Sequence, residues 1–500
     1  MDRRVLPARR EHAQCAGCAG PVHRRPGVLV DHAHRAATRC GFLMHRVAVL
    51  NVVGLSPSLL GSGAPKLRDF ARSVGGVRTM VAPLPAVTCS AQATMLTGVD
   101  PATHGIVGNG WFDRSLNEVH FWKQSAALVQ APRVWDEARS RDEAFTSANA
   151  FWWYAMHGST DVTVTPRPQY PADGRKIPDV WTVPAGLRDT LQDELGSFPL
   201  FNFWGPKASI ESTDWIARAA MQIEERFAPT LQTVYLPHLD YVLQKHGPGT
   251  REAQQELREI DRVVDVLHAF FAARGVRVMV VSEYGIASVS RAICLNRELR
   301  KDDLLSLREE RGTELLDAGQ SDAFAVCDHQ IAHIYVRRAK DIGRVSHLLE
   351  RVSGVDSVLD RAAQDALGIG HERSGDLVCI AEPDAWFAYP WWLDDAHAPD
   401  FARTVDIHRK PGYDPCELFM DPTRPLLGLR TAAKLALRTL GMRNLLDVVP
   451  LDPSLVRGSH GRSSVARGLE PILLCDDDRL DAQVPMRCVK DAILRQVFGS

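Results

Sequence analysis

Between Pro83 and Trp111 the chain reads PLPAVTCSAQATMLTGVDPATHGIVGNGW, a stretch with few of the choices an apolar core would make. Pro83 and Pro85 stop any preceding strand, because proline locks φ and donates no ladder hydrogen bond. Thr88 then heads an Ala, Gln, Met and Leu run suited to a short helix, as a candidate N-cap. A hydroxyl there sits among unpaired N–H groups at the positive end of the helix dipole. That setting suits a phosphate oxygen or a nucleophilic alkoxide; the plainer role is capping alone. Thr97-Gly98, Pro101, His104-Gly105-Ile106-Val107 and Asn109-Gly110 follow as a dense run of turns that buries little apolar surface.

The elements that must position these residues read as an alternation of strands and helices. His45 to Leu55 is a near-continuous apolar run ended by Gly54 and Ser56-Pro57, as expected of a central parallel strand buried on both faces. Pro65 to Ser73 reads as a helix. Trp215 to Phe227 is helical, and Thr233 to Leu236 is a short strand leading into Pro237-His238-Leu239-Asp240. Leu257, Ile260, Val263, Val264, Leu267, Phe270 and Phe271 recur at helical spacing until Gly275, before the strand VRVMVV. Such an αβ unit belongs to a doubly wound sheet, whose functional groups gather beyond the carboxyl ends of its strands. Ser282-Glu283-Tyr284-Gly285 stands at that end. Leu295 to Leu316 reads as a charged helix, and Val355 to Leu367 as a strand followed by a helix. Arg457-Gly458-Ser459-His460-Gly461 precedes the strand PILLC.

Taken together, P-x-x-T, then TG, then P-x-x-HGIV-x-N resembles the signature of the nucleotide pyrophosphatase/phosphodiesterase family (type I phosphodiesterases) of the alkaline phosphatase superfamily. The resemblance runs from about Met44 to about Asp476. It implies a mostly parallel, doubly wound α/β sheet flanked by helices, with a smaller inserted α/β cap; the residues themselves place the insertions at about 160–215 and 295–450 and leave a polar, docked tail from 477 to 500. It also implies hydrolysis of phosphodiester or pyrophosphate bonds, with Thr88 as nucleophile and Asn109 holding a phosphoryl oxygen. Two divalent ions, Zn, Mn or Fe, are expected, since such a pair about 4 Å apart activates the nucleophile and stabilises the oxygens that gain charge.

The ligand set departs from the family pattern. Asp240 and His460 match, and Glu283 keeps the carboxylate of a family aspartate. The histidine expected four residues after Asp240 is Gln244, and the histidine expected after Glu283 is Tyr284. The family's first-strand Asp-Gly is Val53-Gly54 here, with Asn51 the nearest polar residue. The metal candidates are therefore Asn51, Thr88, Asp240, Gln244, Glu283, Tyr284 and His460. His238 and His246 flank the motif as substitutes, without the matching spacing. Asp328 and His329, read as lying at the entrance of the strand Ile334–Val336, and Asp406, His408 and Lys410 are candidate substitute ligands or substrate contacts. Asp406 and His408 would share a face if extended. The alternatives left open by these departures are a catalytically silent anion binder and a relative acting on a phosphonate or phosphomonoester.

Aromatics gather at Trp111, Phe112, Phe121, Trp122 and Phe151-Trp152-Trp153-Tyr154, either as core or as a wall for a planar leaving group. Residues 160–215 lack a clean period and read as an insertion over the site.

Five hundred residues suffice for one large α/β domain with insertions, and a net charge of -2 with 24% charged residues argues against a general nucleic-acid binder. The expected partner is a small phosphorylated substrate. No apolar run is long enough to cross a bilayer. Ten scattered cysteines fit reduced thiols in a cytoplasm better than a disulfide framework. Residues 1–43 are rich in Arg, His and Ala and lack the hydrophobic segment of a secretory signal. We expect them to be disordered or an extension preceding a true start at Met44. Cys15, Cys18, His23 and Cys40 can be written as a zinc site, although one C-x-x-C without a second pair is a weak signal.

Overall fold

The structure, a computed structural model, describes residues 44–499. The expectations for residues 1–43, including the Cys15, Cys18, His23 and Cys40 set, lie outside the described residues.

Val47–Val52 is buried along its whole length and forms the spine of a nine-stranded sheet. The strand order is Gln483–Pro485, Arg78–Val81, Ile472–Leu474, Arg277–Val281, Val47–Val52, Leu231–Leu236, Ser147–Ala150, Val162–Pro166 and Val180–Val183. The five strands from Arg277–Val281 to Val162–Pro166 are parallel, and antiparallel pairings appear only nearer the edges. Two groups of helices flank the sheet. Pro65–Ser73, Ile210–Phe227 and Arg251–Ala272 pack together, as do Thr88–Thr97, Val134–Arg141 and Cys488–Phe498. The apolar stripes of these helices and both faces of the central strands form one continuous core, as burial on both faces requires.

A second, four-stranded antiparallel sheet is the cap. Its order is Ala323–Asp328, Ile331–Val336, Leu377–Ala381 and Val355–Leu359, with helices Ile342–Leu349 and Arg361–Ala366 and a core of its own.

Three segments differ from their sequence reading. Leu295–Lys301 is helical, but Leu307–Glu310 and Thr313–Leu316 form a hairpin, because Arg311 and Gly312 take φ of 54° and 79°, as a tight hairpin turn demands. Residues 160–215 are less an insertion than the edge of the main sheet, supplying Val162–Pro166 and Val180–Val183 and the helix Leu187–Leu195. The segment after Asp476 is integral: Gln483–Pro485 pairs in parallel with Arg78–Val81, and Cys488–Phe498 buries Val489, Ala492, Ile493 and Val497.

Candidate active site

Three neighbouring parallel strands, Val47–Val52, Leu231–Leu236 and Arg277–Val281, deliver Asn51, Asp240 and Glu283 at their carboxyl ends, the place where doubly wound sheets carry their sites. Ser282 locks its strand end, its Oγ accepting from the backbone N–H of Ile472 at 2.8 Å. Gly285 must be glycine, since a Cβ there would lie 2.0 Å from the carbonyl oxygen of Leu469.

Thr88 is the first residue of the helix Thr88–Thr97, with Val87 as the N-cap. Its side chain makes no capping bond. The hydroxyl instead shares a 2.9 Å hydrogen bond with the Tyr284 phenol. One turn on, Gln92 donates through Nε2 to Glu283 Oε1 at 2.6 Å and accepts from the Trp153 backbone N–H at 2.7 Å. His104 is structural: Nδ1 accepts from Ile106 N–H at 3.1 Å, so Nε2–H donates to Thr94 Oγ1 at 3.0 Å.

Asn109 faces the start of the Thr88 helix. Its Oδ1 accepts from Cys89 N–H at 3.0 Å, and its Nδ2 donates to Asp328 Oδ1 at 3.0 Å. Asp328 Oδ2 accepts from Asn109 backbone N–H at 2.7 Å. A backbone donor on one side and a carboxylate acceptor on the other leave the amide only one orientation, with one Nδ2 hydrogen unused. Asp328 ends the strand Ala323–Asp328, a step earlier than the sequence suggests, and His329 makes the cap hairpin's turn at φ 61°. The tip reaches into the site. His329 stacks on Tyr413 and His460 with ring centroids 3.8 and 3.6 Å away, and Gln330 N–H donates to the His460 carbonyl at 2.8 Å.

The remaining polar groups are less well satisfied. Glu283 Oε1 takes both the Gln92 bond and a 2.6 Å bond from Asn51 Nδ2, whereas Glu283 Oε2 and Asn51 Oδ1 have no partner. Asp240 Oδ2 accepts from Gln244 Nε2 at 2.8 Å, but Asp240 Oδ1 has none. His460 donates through Nδ1 to the Ala86 carbonyl at 2.8 Å, so its Nε2 is a bare lone pair. That lone pair and Asp240 Oδ1 face each other at 3.8 Å. Two acceptors so placed need a cation or a proton between them.

Electrostatics sharpen the point. Burial and then the charge of Glu283 push Asp240 up to about 8, and burial pushes Glu283 and Asp328 up to about 7. No lysine or arginine among the described residues pairs with any of the three. Burial lowers His460 to about 3 and drives His329 well below the usual histidine value, so both are neutral. Tyr284 is held well above the usual phenol value by burial and by Asp240 and Glu283, and its ring stacks on His460 at 3.5 Å.

Gln244 and Tyr284, expected as ligands, are spent on protein partners. Gln244 Oε1 accepts from the Tyr413 hydroxyl at 2.9 Å while its Nε2 serves Asp240. His238 is bonded to Glu256 at 2.7 Å instead of lying loose in solvent, and His246 ends the same helix half-buried. Asp406, His408 and Lys410 lie outside this cluster. Asp406 and His408 belong to a turn, so they share no strand face. His408 reaches the Phe121 carbonyl at 3.4 Å. Lys410 is buried in ion pairs of 2.7 Å with Asp414 and Glu417, which removes it as a substrate cation. Phe151 and Trp152 join the main core, while half-buried Trp122 packs 5.1 Å from Trp153 and 6.1 Å from Tyr413. Trp122, Phe151, Tyr154 and His329 all take positive φ, a concentration of backbone strain typical of functional sites.

Asp240 Oδ1 and His460 Nε2 are donors whose chemistry fits a divalent cation, and Asn51 Oδ1 and Glu283 Oε2 are buried and bare as well. Among the described residues, however, no three His, Cys, Asp or Glu side chains converge as a metal cluster, so Asp240, Glu283 and His460 do not by themselves frame a formed site.

The fold is that of alkaline-phosphatase-like α/β proteins. A family model described as Type I phosphodiesterase / nucleotide pyrophosphatase matches residues 47–414, and the chain belongs to this family. It is 24% identical over 266 residues to an uncharacterised pyrophosphatase/phosphodiesterase of Schizosaccharomyces pombe. That match covers 52% of this chain and 48% of the relative, so the chain spans about half of that relative's length. Among solved structures the fold is similar to phosphonoacetate hydrolase from Sinorhizobium meliloti in complex with phosphonoformate, with a TM-score of 0.57, 15% identity and coverage of 91% of this chain and 97% of the other. It is likewise similar to murine ectonucleotide pyrophosphatase/phosphodiesterase 5, with a TM-score of 0.54, 15% identity and coverage of 91% and 95%.

Proposed function

We propose that the chain hydrolyses a phosphodiester or pyrophosphate bond of a small phosphorylated substrate through a phospho-Thr88 intermediate and depends on a divalent ion. The observation that carries this reading is the pair of bare acceptors, Asp240 Oδ1 and His460 Nε2, facing each other at 3.8 Å. Asp240, His460, Glu283 and Asn51 would hold the ion. When bound, it supplies positive charge to the oxygens that gain charge during phosphoryl transfer. Two ions have less support than one, because Gln244 and Tyr284 already serve Asp240, Tyr413 and Thr88.

The chain's own residues do the rest. Tyr284 fixes the rotamer of the Thr88 hydroxyl at the helix start, and Asp328 fixes the amide of Asn109 so that its unused Nδ2 hydrogen serves a phosphoryl oxygen. The Thr88 oxygen bonds to phosphorus as the bond to the leaving group breaks, and the Thr88 proton leaves with the departing oxygen; water then attacks phosphorus, its hydroxyl staying on the released phosphoryl group and its proton returning to the Thr88 oxygen. The free thiols of the seven described cysteines support a reducing, cytoplasmic setting.

A second reading, a silent anion binder, is favoured by the same engagement of Gln244 and Tyr284. A third, a phosphonate as substrate, rests on the phosphonoacetate hydrolase fold alone. Hydrolysis of bis-(p-nitrophenyl) phosphate, of its monoester and of phosphonoacetate by stripped protein, with Mg, Mn, Zn or Fe added, separates them. The expected outcome is metal-dependent diester turnover that falls at least about 10⁴-fold in Thr88→Ala. Turnover undiminished in that variant would end the nucleophile assignment, and a metal-free protein that binds phosphate without turnover would establish the silent reading.

A further inference from the structure

The helix Leu427–Thr439 is mounted the wrong way round for a protein in water. Its polar side faces the protein: Leu427 is buried, Lys434 reaches Asp447 and the Leu445 carbonyl, and Arg438 donates to the Asn444 carbonyl at 2.7 Å. Its apolar side faces out, with Leu429, Ala433, Leu437 and Leu440 at helical spacing and Leu429 and Leu440 68% and 78% exposed. Leu426, Met442 and Leu445 extend the same surface. Nearly half of the strongly exposed large apolar side chains among the described residues fall between Met420 and Leu445. A surface helix normally turns its apolar stripe inward, and an apolar patch this concentrated marks a surface that something covers.

Charge identifies the cover. Between Asp421 and Asp447 there is no acidic residue; Arg424 and Lys434 pair with those two aspartates, which leaves Arg430, Arg438 and Arg443 as cations without a carboxylate among the described residues, in a chain of net charge -2. Arg430 and Arg443 are exposed beside the leucines, and Arg443 ties this segment to the loop at Ala172 and Asp173. Leucines flanked by arginines are the composition of a helix lying in a membrane interface, with its apolar face among acyl chains and its guanidinium groups at anionic headgroups. A second copy answers the charge pattern poorly, because a twofold contact would set these same cations against one another.

We propose that Leu427–Thr439, with the flanking Leu426 and Met442, is an interfacial helix that seats the protein reversibly on an anionic lipid bilayer. It lies on the membrane and does not span it; no helix of the described residues is long and apolar enough to cross one. The inference is independent of the hydrolase reading.

The test is co-sedimentation of the full-length protein with phosphatidylcholine vesicles and with vesicles that also contain about 30% phosphatidylserine. Wild type is expected to partition onto the anionic vesicles, more weakly as salt rises, with Arg430→Gln lowering partitioning about fivefold. Leu429→Asp combined with Leu440→Asp, both at exposed positions, is expected to weaken it about 100-fold without lowering the melting temperature. Wild type that stays with the supernatant of anionic vesicles overturns the proposal, as does full binding by the folded double variant. A wild-type dimer in sedimentation velocity that the double variant converts to monomer also overturns it, and assigns the face to a second copy.

Discussion

On the Thr88 side of the centre, Asn109, Asp328 and Cys89 use one another's donors and acceptors with nothing left over except the single amide hydrogen that a substrate oxygen would take. On the carboxylate side, Asn51 Oδ1, Glu283 Oε2, Asp240 Oδ1 and His460 Nε2 are all bare. Both sides are equally buried, so solvent does not explain the contrast. The first side is satisfied within the protein. The second holds acceptors that need a proton or a cation, since buried charge is tolerated only when it is neutralised, paired or coordinated.

Variants on the two sides should therefore respond with opposite signs. Glu283→Gln removes a buried charge: metal affinity, read by calorimetry, should fall at least about 100-fold, because loss of a ligand exceeds the loss caused by a misplaced supporting group. The stripped variant should nonetheless melt above stripped wild type. Equal metal affinity in wild type and Glu283→Gln would remove that carboxylate from the ligand set. Asp328→Asn places an amide where Asn109 offers two donors. It should cost about 1–3 kcal/mol of stability and about 100-fold in kcat with little change in KM, and a variant that loses stability but keeps kcat would reduce Asp328 to a structural role.

The pH dependence of stability reads both sides without mutation, since Asp328 on the Thr88 side is raised together with Asp240 and Glu283 on the bare side. Asp240, raised to about 8, and Glu283 and Asp328, raised to about 7, are protonated when folded at pH values where the unfolded carboxyls are ionised. Their favourable contribution is full below about pH 4 and is lost as pH rises through 7 and 8. His460, lowered to about 3, and His329 work in the other direction, but only below about pH 6.5, where unfolded histidines take up protons. Between about pH 6.5 and 8.5 stripped protein should lose roughly 2–4 kcal/mol, and added metal should flatten the slope. A flat stripped profile would show that these carboxylates are already paired. The smallest effect is a gain: Gln244→His, which restores an imidazole next to Asp240, should tighten metal binding about tenfold.

How much of this was legible in the sequence depends on how local each signal is. Thr88, Asn109, Asp240, Glu283 and His460 stand in short motifs at strand and helix ends, and the structure gathers all five. Gln92 was missed although a signal existed, since it lies one helical turn after Thr88 and so on the same face. Tyr413 had no such signal: it meets Gln244 across 169 residues, through the packing of a loop held by Lys410, Asp414 and Glu417. The parallel strands at the centre of the main sheet follow from αβ alternation, where strands are apolar on both faces, but their order does not. At the edges, short strands such as Gln483–Pro485 carry no clean period, and the segment from 477 on was read as a tail. The hairpin around Arg311-Gly312 was hidden by its charged strands, which suit a helix as well.

The cap hairpin's tip at Asp328, His329 and Gln330 bears on how this protein can be re-engineered. One turn of the four-stranded sheet holds Asn109 on one side and His460 on the other, so that sheet supplies part of the wall of the candidate site. Exchanging the cap between relatives would then require the loop around Asn109 and the segment around His460 to travel with it. A graft at the boundaries of the cap alone would carry over a foreign surface and leave the centre without its wall.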